Sequence, residues 1–306
     1  MGANKQLQTI SGLQLWRWRK AAISTAIAAD VPVVEIDWLL QEITDLDKLA
    51  LRLGNFKNKH QIQSQFNLED LEQLWQKRIN DRLPVQYIAG ATPWRNFHIA
   101  VSPAVLIPRP ETEYLIDLAV NATLQSPQLR KGHWADLGTG SGAIALGLAD
   151  AFTEATIHAV DYSMAALEVA RKNAIDAGFN KQINFYQGYW WEPLKKFFGE
   201  FSGMVSNPPY IPKATIAELQ PEVTIHEPHL ALDGGDSGLD CIFHLAKTAP
   251  TYLKPGGVWL VEMMAGQADA VQEILISQGE YENIQIHTDL SGIERFAIAY
   301  RKQINI

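Results

Sequence analysis

The stretch His133–Leu146 reads "HWADLGTGSGAIAL" and decides the fold. It opens as a short apolar strand, turns through Gly138, Gly140 and Gly142, and closes as an apolar helix. Alternating glycines let the backbone turn tightly and let a ligand approach to contact distance. The pattern is G-x-G-x-G, one residue short of the dinucleotide pattern G-x-G-x-x-G. Roughly twenty residues on, Asp161 ends the next expected strand, "TIHAVD", where a carboxylate can accept both hydroxyls of a ribose. A plain turn with Asp161 capping the following helix beside Ser163 would use the same residues.

Working outward, strands and helices alternate from Pro103 to the end of the chain. "HWADL", "TIHAVD", "INFYQ", "GMVSN" and "VWLVEM" read as strands, and "IQIH" and "RFAIAY" as the last two. Helices are expected over Ala143–Ala149, Met164–Ala177, Leu239–Leu253 and Ala268–Ser277. Short buried strands alternating with helices predict an α/β fold with a parallel, doubly wound, Rossmann-like sheet. Between Gly90 and Ser102 the period drops to two, and "TPWRN" supplies turn residues, which predicts a hairpin. From Ser11 to Pro84 the period is helical. Ser11 and Asn67 are expected caps, Gly54 an expected stop, and Pro84 ends the last helix. The domains read as a helical region 1–84, a hairpin linker 85–102 and an α/β domain 103–306.

The 306 residues carry 47% apolar and 20% charged side chains, an ordinary globular composition. A net charge of −8 argues against a protein that grips duplex nucleic acid through its phosphates. Cys241 is the single cysteine, so neither an intrachain disulfide nor a thiolate metal cluster forms, which suits a reducing cytosol. The amino terminus has no apolar signal region, Gly2 lacks the Ser or Thr of an acylation signal, and no stretch is long and apolar enough to span a bilayer.

The glycine turn contains no lysine, which excludes a P-loop nucleotidase. A nucleoside ligand without phosphates fits instead, S-adenosyl-L-methionine being one. Trp190-Trp191 follow the third strand, where either ring could edge an adenine or pack in the core. The next strand runs into "SNPPY", Ser206–Tyr210, at the crevice end of the sheet. Pro208 keeps Asn207 extended, and Pro208 and Pro209 have no N–H to offer. The Asn207 side-chain oxygen and the Pro208 carbonyl then form a rigid acceptor patch suited to an –NH2 group, with Tyr210 able to stack on the π-system that bears it. The bland alternative is a proline-rich turn. "IPRPETE" likewise suits a helix start, with Pro110 in the first turn and Glu111 and Glu113 at the positive dipole end. Glu222, His226, Glu227, His229 and Asp233 are spaced so that a metal site is conceivable, but Pro228 breaks any helical presentation, and no metal is expected. Trp16, Trp18, Trp38 and Trp75 lack the basic interleaving of a nucleic-acid stacking platform and are expected in helical packing.

Together "SNPPY", "DLGTGSGAIAL" and "VLIPRPETEYLID" resemble the HemK/PrmC family of protein N5-glutamine methyltransferases. "PVQYIAG", "EPHLALDGGDSGLD" and "SGIERFAIAY" agree in order and spacing, over about Pro84 to Arg301. The resemblance implies a seven-stranded class I methyltransferase domain with an antiparallel last hairpin, and a small all-α amino-terminal domain that helps hold the substrate. It implies S-adenosyl-L-methionine, leaving as S-adenosyl-L-homocysteine, on Gly138, Thr139, Gly140, Ser141, Gly142 and Asp161, with Trp190 near the adenine and Asn207 beside the cofactor. It implies that Asn207, Pro208, Pro209 and Tyr210 grip the glutamine of a Gly-Gly-Gln motif in class I peptide-chain release factors. Many relatives have Asp just before the Trp position; Tyr189 stands here, so no carboxylate contact to the adenine amino group is expected. A cytoplasmic monomer without nucleic-acid or membrane binding fits this reading. An amino methyltransferase for adenine or guanine in nucleic acid shares the need for an –NH2 grip, but would also need a basic groove for flipped bases.

Overall fold

The structure is a computed structural model that describes residues 7–303. Gly2 and the start of the amino-terminal stretch read for targeting signals lie outside them. The first elements are β1 (Gln8–Ile10), α1 (Gly12–Ala28), α2 (Val34–Ile43), α3 (Lys48–Leu53), β2 (Ile62–Ser64), α4 (Leu68–Asn80) and α5 (Val85–Ala89). Their ends follow local chemistry. Ser11 accepts the Gln14 N–H and Asn67 the Asp70 N–H, each satisfying a donor that the first helical turn leaves orphaned. Gly54 ends α3 in the left-handed conformation at φ 64°. The apolar stripes of α1, α2 and α4 meet in one core, where the rings of Trp18 and Trp75 pack edge to face, centroids 6.1 Å apart. Trp16 and Trp38 are partly buried against the same core.

The helical period does not predict the small ribbon in which β1 and β2 pair antiparallel, Ile10 opposite Ile62. Three-residue strands are too short to show alternation. The chain divides into two compact units, and the first takes in a distant segment, Gln220–His226, besides the residues up to Ala91. That segment holds α9 (Pro221–His226). Within this unit Arg78, 2% exposed, binds Glu35 through two nitrogens at 2.6 and 2.9 Å and Glu222 at 2.7 Å. A buried guanidinium requires such partners, because an unpaired charge there would cost several kcal/mol.

The second unit begins at Thr92, inside the hairpin of β3 (Ala91–Trp94) and β4 (Phe97–Ala100), and continues with α6 (Tyr114–Ala122). Then come β5 (Gly132–Leu137), α7 (Ala143–Ala151), β6 (Ala155–Asp161), α8 (Met164–Asp176), β7 (Ile183–Gln187) and β8 (Phe201–Ser206). After α9 the chain continues through α10 (Asp240–Tyr252), β9 (Leu253–Glu262), α11 (Ala268–Gln278), β10 (Tyr281–Thr288) and β11 (Glu294–Arg301). One seven-stranded sheet runs in the order β10-β11-β9-β8-β5-β6-β7. Strands β9, β8, β5, β6 and β7 are mutually parallel, while β11 is antiparallel to both β9 and β10. Helices α10 and α11 cover one face over a core that includes Trp191, Met204, Trp259 and Ala297.

This order places the site. From β5 the chain moves outward to β6 and β7, then returns to the other side of β5 for β8 and β9. The reversal falls between β5 and β8, and a crevice opens at the carboxyl ends of strands flanking such a reversal. The glycine turn follows β5 directly and Asn207 follows β8 directly, so the fold sets the two distinctive motifs side by side.

Candidate active site

The turn after β5 uses its glycines as glycines. Gly138, Gly140 and Gly142 have φ of 79°, 54° and 83°, a region where L side chains are strained. A Cβ on Gly142 would also lie 3.0 Å from the Ala170 Cβ of α8. Four of the five turn N–H groups are already engaged. Gly138 and Thr139 both donate to the Val160 carbonyl at 2.9 Å, Gly140 donates to Asp161 Oδ2 at 2.8 Å, and Gly142 donates to the Thr139 carbonyl at 2.8 Å. Such a turn is not a phosphate cradle, which needs its N–H groups free.

Two carboxylates hold this turn. Asp161 accepts Gly140 N–H on one oxygen and Ser163 N–H on the other, both at 2.8 Å. It therefore does serve the local turn, with Ser163 as the cap of α8, yet each carboxylate oxygen keeps a second lone pair. Burial pushes the Asp161 carboxyl above its ordinary range, against the backbone hydrogen bonds that favour its charge. Sequence reasoning missed Asp136. It is fully buried beneath the turn, and its Oδ2 accepts the Thr139 hydroxyl at 2.5 Å and the Ala145 N–H at 2.9 Å. Burial raises its carboxyl to about 7, with the Asp161 charge adding to the rise. A lone acid two residues ahead of the first glycine was the available signal.

A cleft of about 580 Å³ opens over this turn, within the range of small-ligand sites. Gly138, Thr139, Gly140, Ser141, Asp161, Tyr189, Trp190 and Asn207 line it. Gly142 does not; its role is the turn and the packing on α8. The Trp pair divides. Trp190 lines the cleft 8% exposed, at φ 50°, with its ring against Gly138. Trp191 lies in the core, stacked on Tyr252 at 4.5 Å. Tyr189 is half exposed and meets Trp190 edge to face.

On the opposite wall, Asn207 and Pro209 face the cleft, whereas Pro208 is buried and Tyr210 is partly buried outside the lining. Tyr210 packs against the core behind the corner, and its hydroxyl donates to Glu262 Oε1 at 3.2 Å. Burial and the adjacent Glu262 charge push its phenol far up. Asn207 Nδ2 donates to Thr112 Oγ1 at 3.1 Å, and among the described residues no donor reaches Asn207 Oδ1. Arg109, from "IPRPETE", also lines the cleft and pairs with the buried Glu227 at 2.7 Å.

The acid- and histidine-rich stretch is dispersed among separate partners. Glu222 binds Arg78, His226 contacts the Asp81 carbonyl at 2.6 Å, Glu227 binds Arg109, and Asp233 accepts Gly235 N–H at 2.9 Å. Among the described residues no group of three is arranged to hold a metal. No helix there is long and apolar enough to cross a membrane.

A seven-stranded sheet with its last strand antiparallel, a glycine turn without free phosphate donors and an acid ending the second strand together define a class I methyltransferase domain. Residues 116–235 match the family model of the methyltransferase small domain. The fold is shared with the solved hMettl16 catalytic domain in complex with a MAT2A 3′UTR hairpin, at TM-score 0.53 over 87% of this chain and 90% of that one, with 13% identity. A release factor glutamine methyltransferase of Synechocystis sp. is 52% identical over 291 residues, 95% of this chain and 97% of the relative. One of Gloeobacter violaceus is 42% identical over 92% of this chain and 96% of its own length, and one of Neisseria gonorrhoeae 36% identical over 90% and 96%. The chain belongs to the release factor glutamine methyltransferase family.

Proposed function

We propose that this protein methylates the side-chain nitrogen of the glutamine in the Gly-Gly-Gln motif of peptide-chain release factors. One observation carries the reading: the cleft has a nucleoside-type wall on one side and, on the other, an asparagine whose oxygen meets no donor among the described residues. S-adenosyl-L-methionine, when bound, would supply a methyl group on a positively charged sulfur: the carbon–sulfur bond breaks as the carbon–nitrogen bond forms, S-adenosyl-L-homocysteine leaves as a neutral thioether, and the nitrogen's surplus proton passes to water.

The cleft residues fit that cofactor by size and by donor set. Asp161 keeps lone pairs for two ribose hydroxyls, Trp190 gives an apolar wall for the base, and Gly138–Ser141 leave room for the amino-acid tail. Across the cleft, Asn207 Oδ1 accepts one N–H of the glutamine amide; Pro208, buried behind it, holds the asparagine extended. An amide nitrogen is a poor nucleophile because its lone pair is delocalised, so fixed alignment is what the corner contributes. Alignment of this kind is worth several kcal/mol in general. No strong base is needed beforehand, since the nitrogen becomes acidic only as the methyl arrives. We assign the helical first unit to holding the release factor, and place the reaction in the cytoplasm, with the protein acting as a monomer.

Incubation with methyl-labelled S-adenosyl-L-methionine and either a release factor or bulk nucleic acid tests the function. Label on the release factor glutamine is expected. Label in nucleic acid alone would replace this reading with that of a base-amino methyltransferase.

A further inference from the structure

The geometry points to Thr112 and Glu262 as a positioning pair that turns the Asn207 amide oxygen toward the cleft. This inference rests on the proposed methylation of an amide at that corner. Glu262 is the last residue of β9, one position beyond the pairing of Ser206 with Val261, and so lies beside Asn207. It is 2% exposed, at the end of the buried apolar run Val258–Val261. An ionised carboxylate buried there would be costly without donors around it. Both oxygens have one: Thr112 Oγ1 donates to Oε2 at 2.8 Å, and the Tyr210 hydroxyl donates to Oε1 at 3.2 Å.

The direction of these bonds fixes everything downstream. A carboxylate only accepts, and a threonine hydroxyl has a single proton. Thr112 gives that proton to Glu262, so its lone pairs are what it offers Asn207. Asn207 must meet it with Nδ2, as it does at 3.1 Å. The amide oxygen is left pointing away from Thr112. The flipped amide would set two acceptors face to face at Thr112 and present an –NH2 to the substrate –NH2. The same carboxylate holds the Tyr210 ring, so one buried charge orders both polar side chains of the corner. Thr112 lies in "IPRPETE", a stretch that otherwise reads only as a helix start; it is 4% exposed and borders the cleft.

Thr112→Val removes the hydroxyl and keeps the shape; Thr112→Ser keeps the hydroxyl. The experiment measures kcat for release factor methylation at saturating labelled cofactor, together with cofactor Kd and melting temperature. The valine variant is expected to lose about tenfold or more in kcat with cofactor Kd within about twofold of wild type. The serine variant is expected to recover kcat to within about threefold. In an Asn207→Ala background, the valine change is expected to add less than about twofold, since Thr112 acts through Asn207. Thr112→Ala gives the same reading should the valine variant fail to fold. Full kcat in Thr112→Val, or a serine variant as impaired as valine, overturns the inference while wild-type methylation leaves the functional reading standing. Absence of wild-type methylation sinks the functional reading itself.

Discussion

The two walls of the cleft are built differently. On the glycine wall, backbone bonds to backbone, and two carboxylates only a short way along the chain, Asp136 and Asp161, complete it. On the asparagine wall, side chains hold side chains across long separations: Asn207 to Thr112, 95 residues away, and Thr112 to Glu262, 150 residues away. In the proposed reading the first wall admits a nucleoside and the second presents an acceptor. Binding and transfer are therefore separable, and substitutions on the two walls should move different constants.

The largest expected effect is on the second wall. Asn207→Ala should lower kcat by about 10²–10³-fold, the order lost when one preorganised polar group is removed from a transition state. Its cofactor Kd, by calorimetry, should stay within about twofold of wild type. Near-full turnover in that variant would merge the two walls into one binding surface. On the first wall, Asp161→Ala should weaken cofactor binding by about 10–100-fold, the equivalent of one or two hydrogen bonds to a charged group. Turnover at saturating cofactor should change far less. Unchanged affinity would remove Asp161 from the ligand.

A smaller effect distinguishes the walls by pH. Burial raises both the Asp136 and the Glu262 carboxyl to about 7. Around Glu262, the hydrogen bonds of Thr112 and Tyr210 and the charge of Arg295 oppose that rise, and the charge of Glu111 adds to it. The working form at the corner is the carboxylate, which exists above the raised pKa and is lost as pH falls through it. The kcat at saturating cofactor should thus drop several-fold between about pH 8 and pH 6. Asp136 lies under the other wall, so its protonation should appear in cofactor Kd over the same range. A kcat flat across that range would remove the charge of Glu262 from the corner.

The same contrast explains what was readable before the structure. Turn, strand and acid on the glycine wall lie within one βαβ unit, where period and punctuation are informative. "SNPPY" was readable too, because proline chemistry is local. Its supports were not: a threonine in a proline-rich stretch and a glutamate ending an apolar strand carry no pattern until the sheet order brings them together. A lone carboxylate in "VWLVEM" was the only hint. Trp190 and Trp191 are equivalent in sequence, and the left-handed backbone at Trp190 sends neighbouring rings to different places. Nor does sequence spacing pair Arg78 with Glu222, 144 residues apart, which draws a segment of the later chain into the first unit.

A crystal structure with S-adenosyl-L-homocysteine and a Gly-Gly-Gln peptide would show what the corner grips. The glutamine side-chain nitrogen is expected about 3 Å from Asn207 Oδ1, with the Asn207–Thr112–Glu262 chain of hydrogen bonds intact. A glutamine held by other residues, or an Asn207 amide turned away from Thr112 toward the peptide, would overturn the proposed grip.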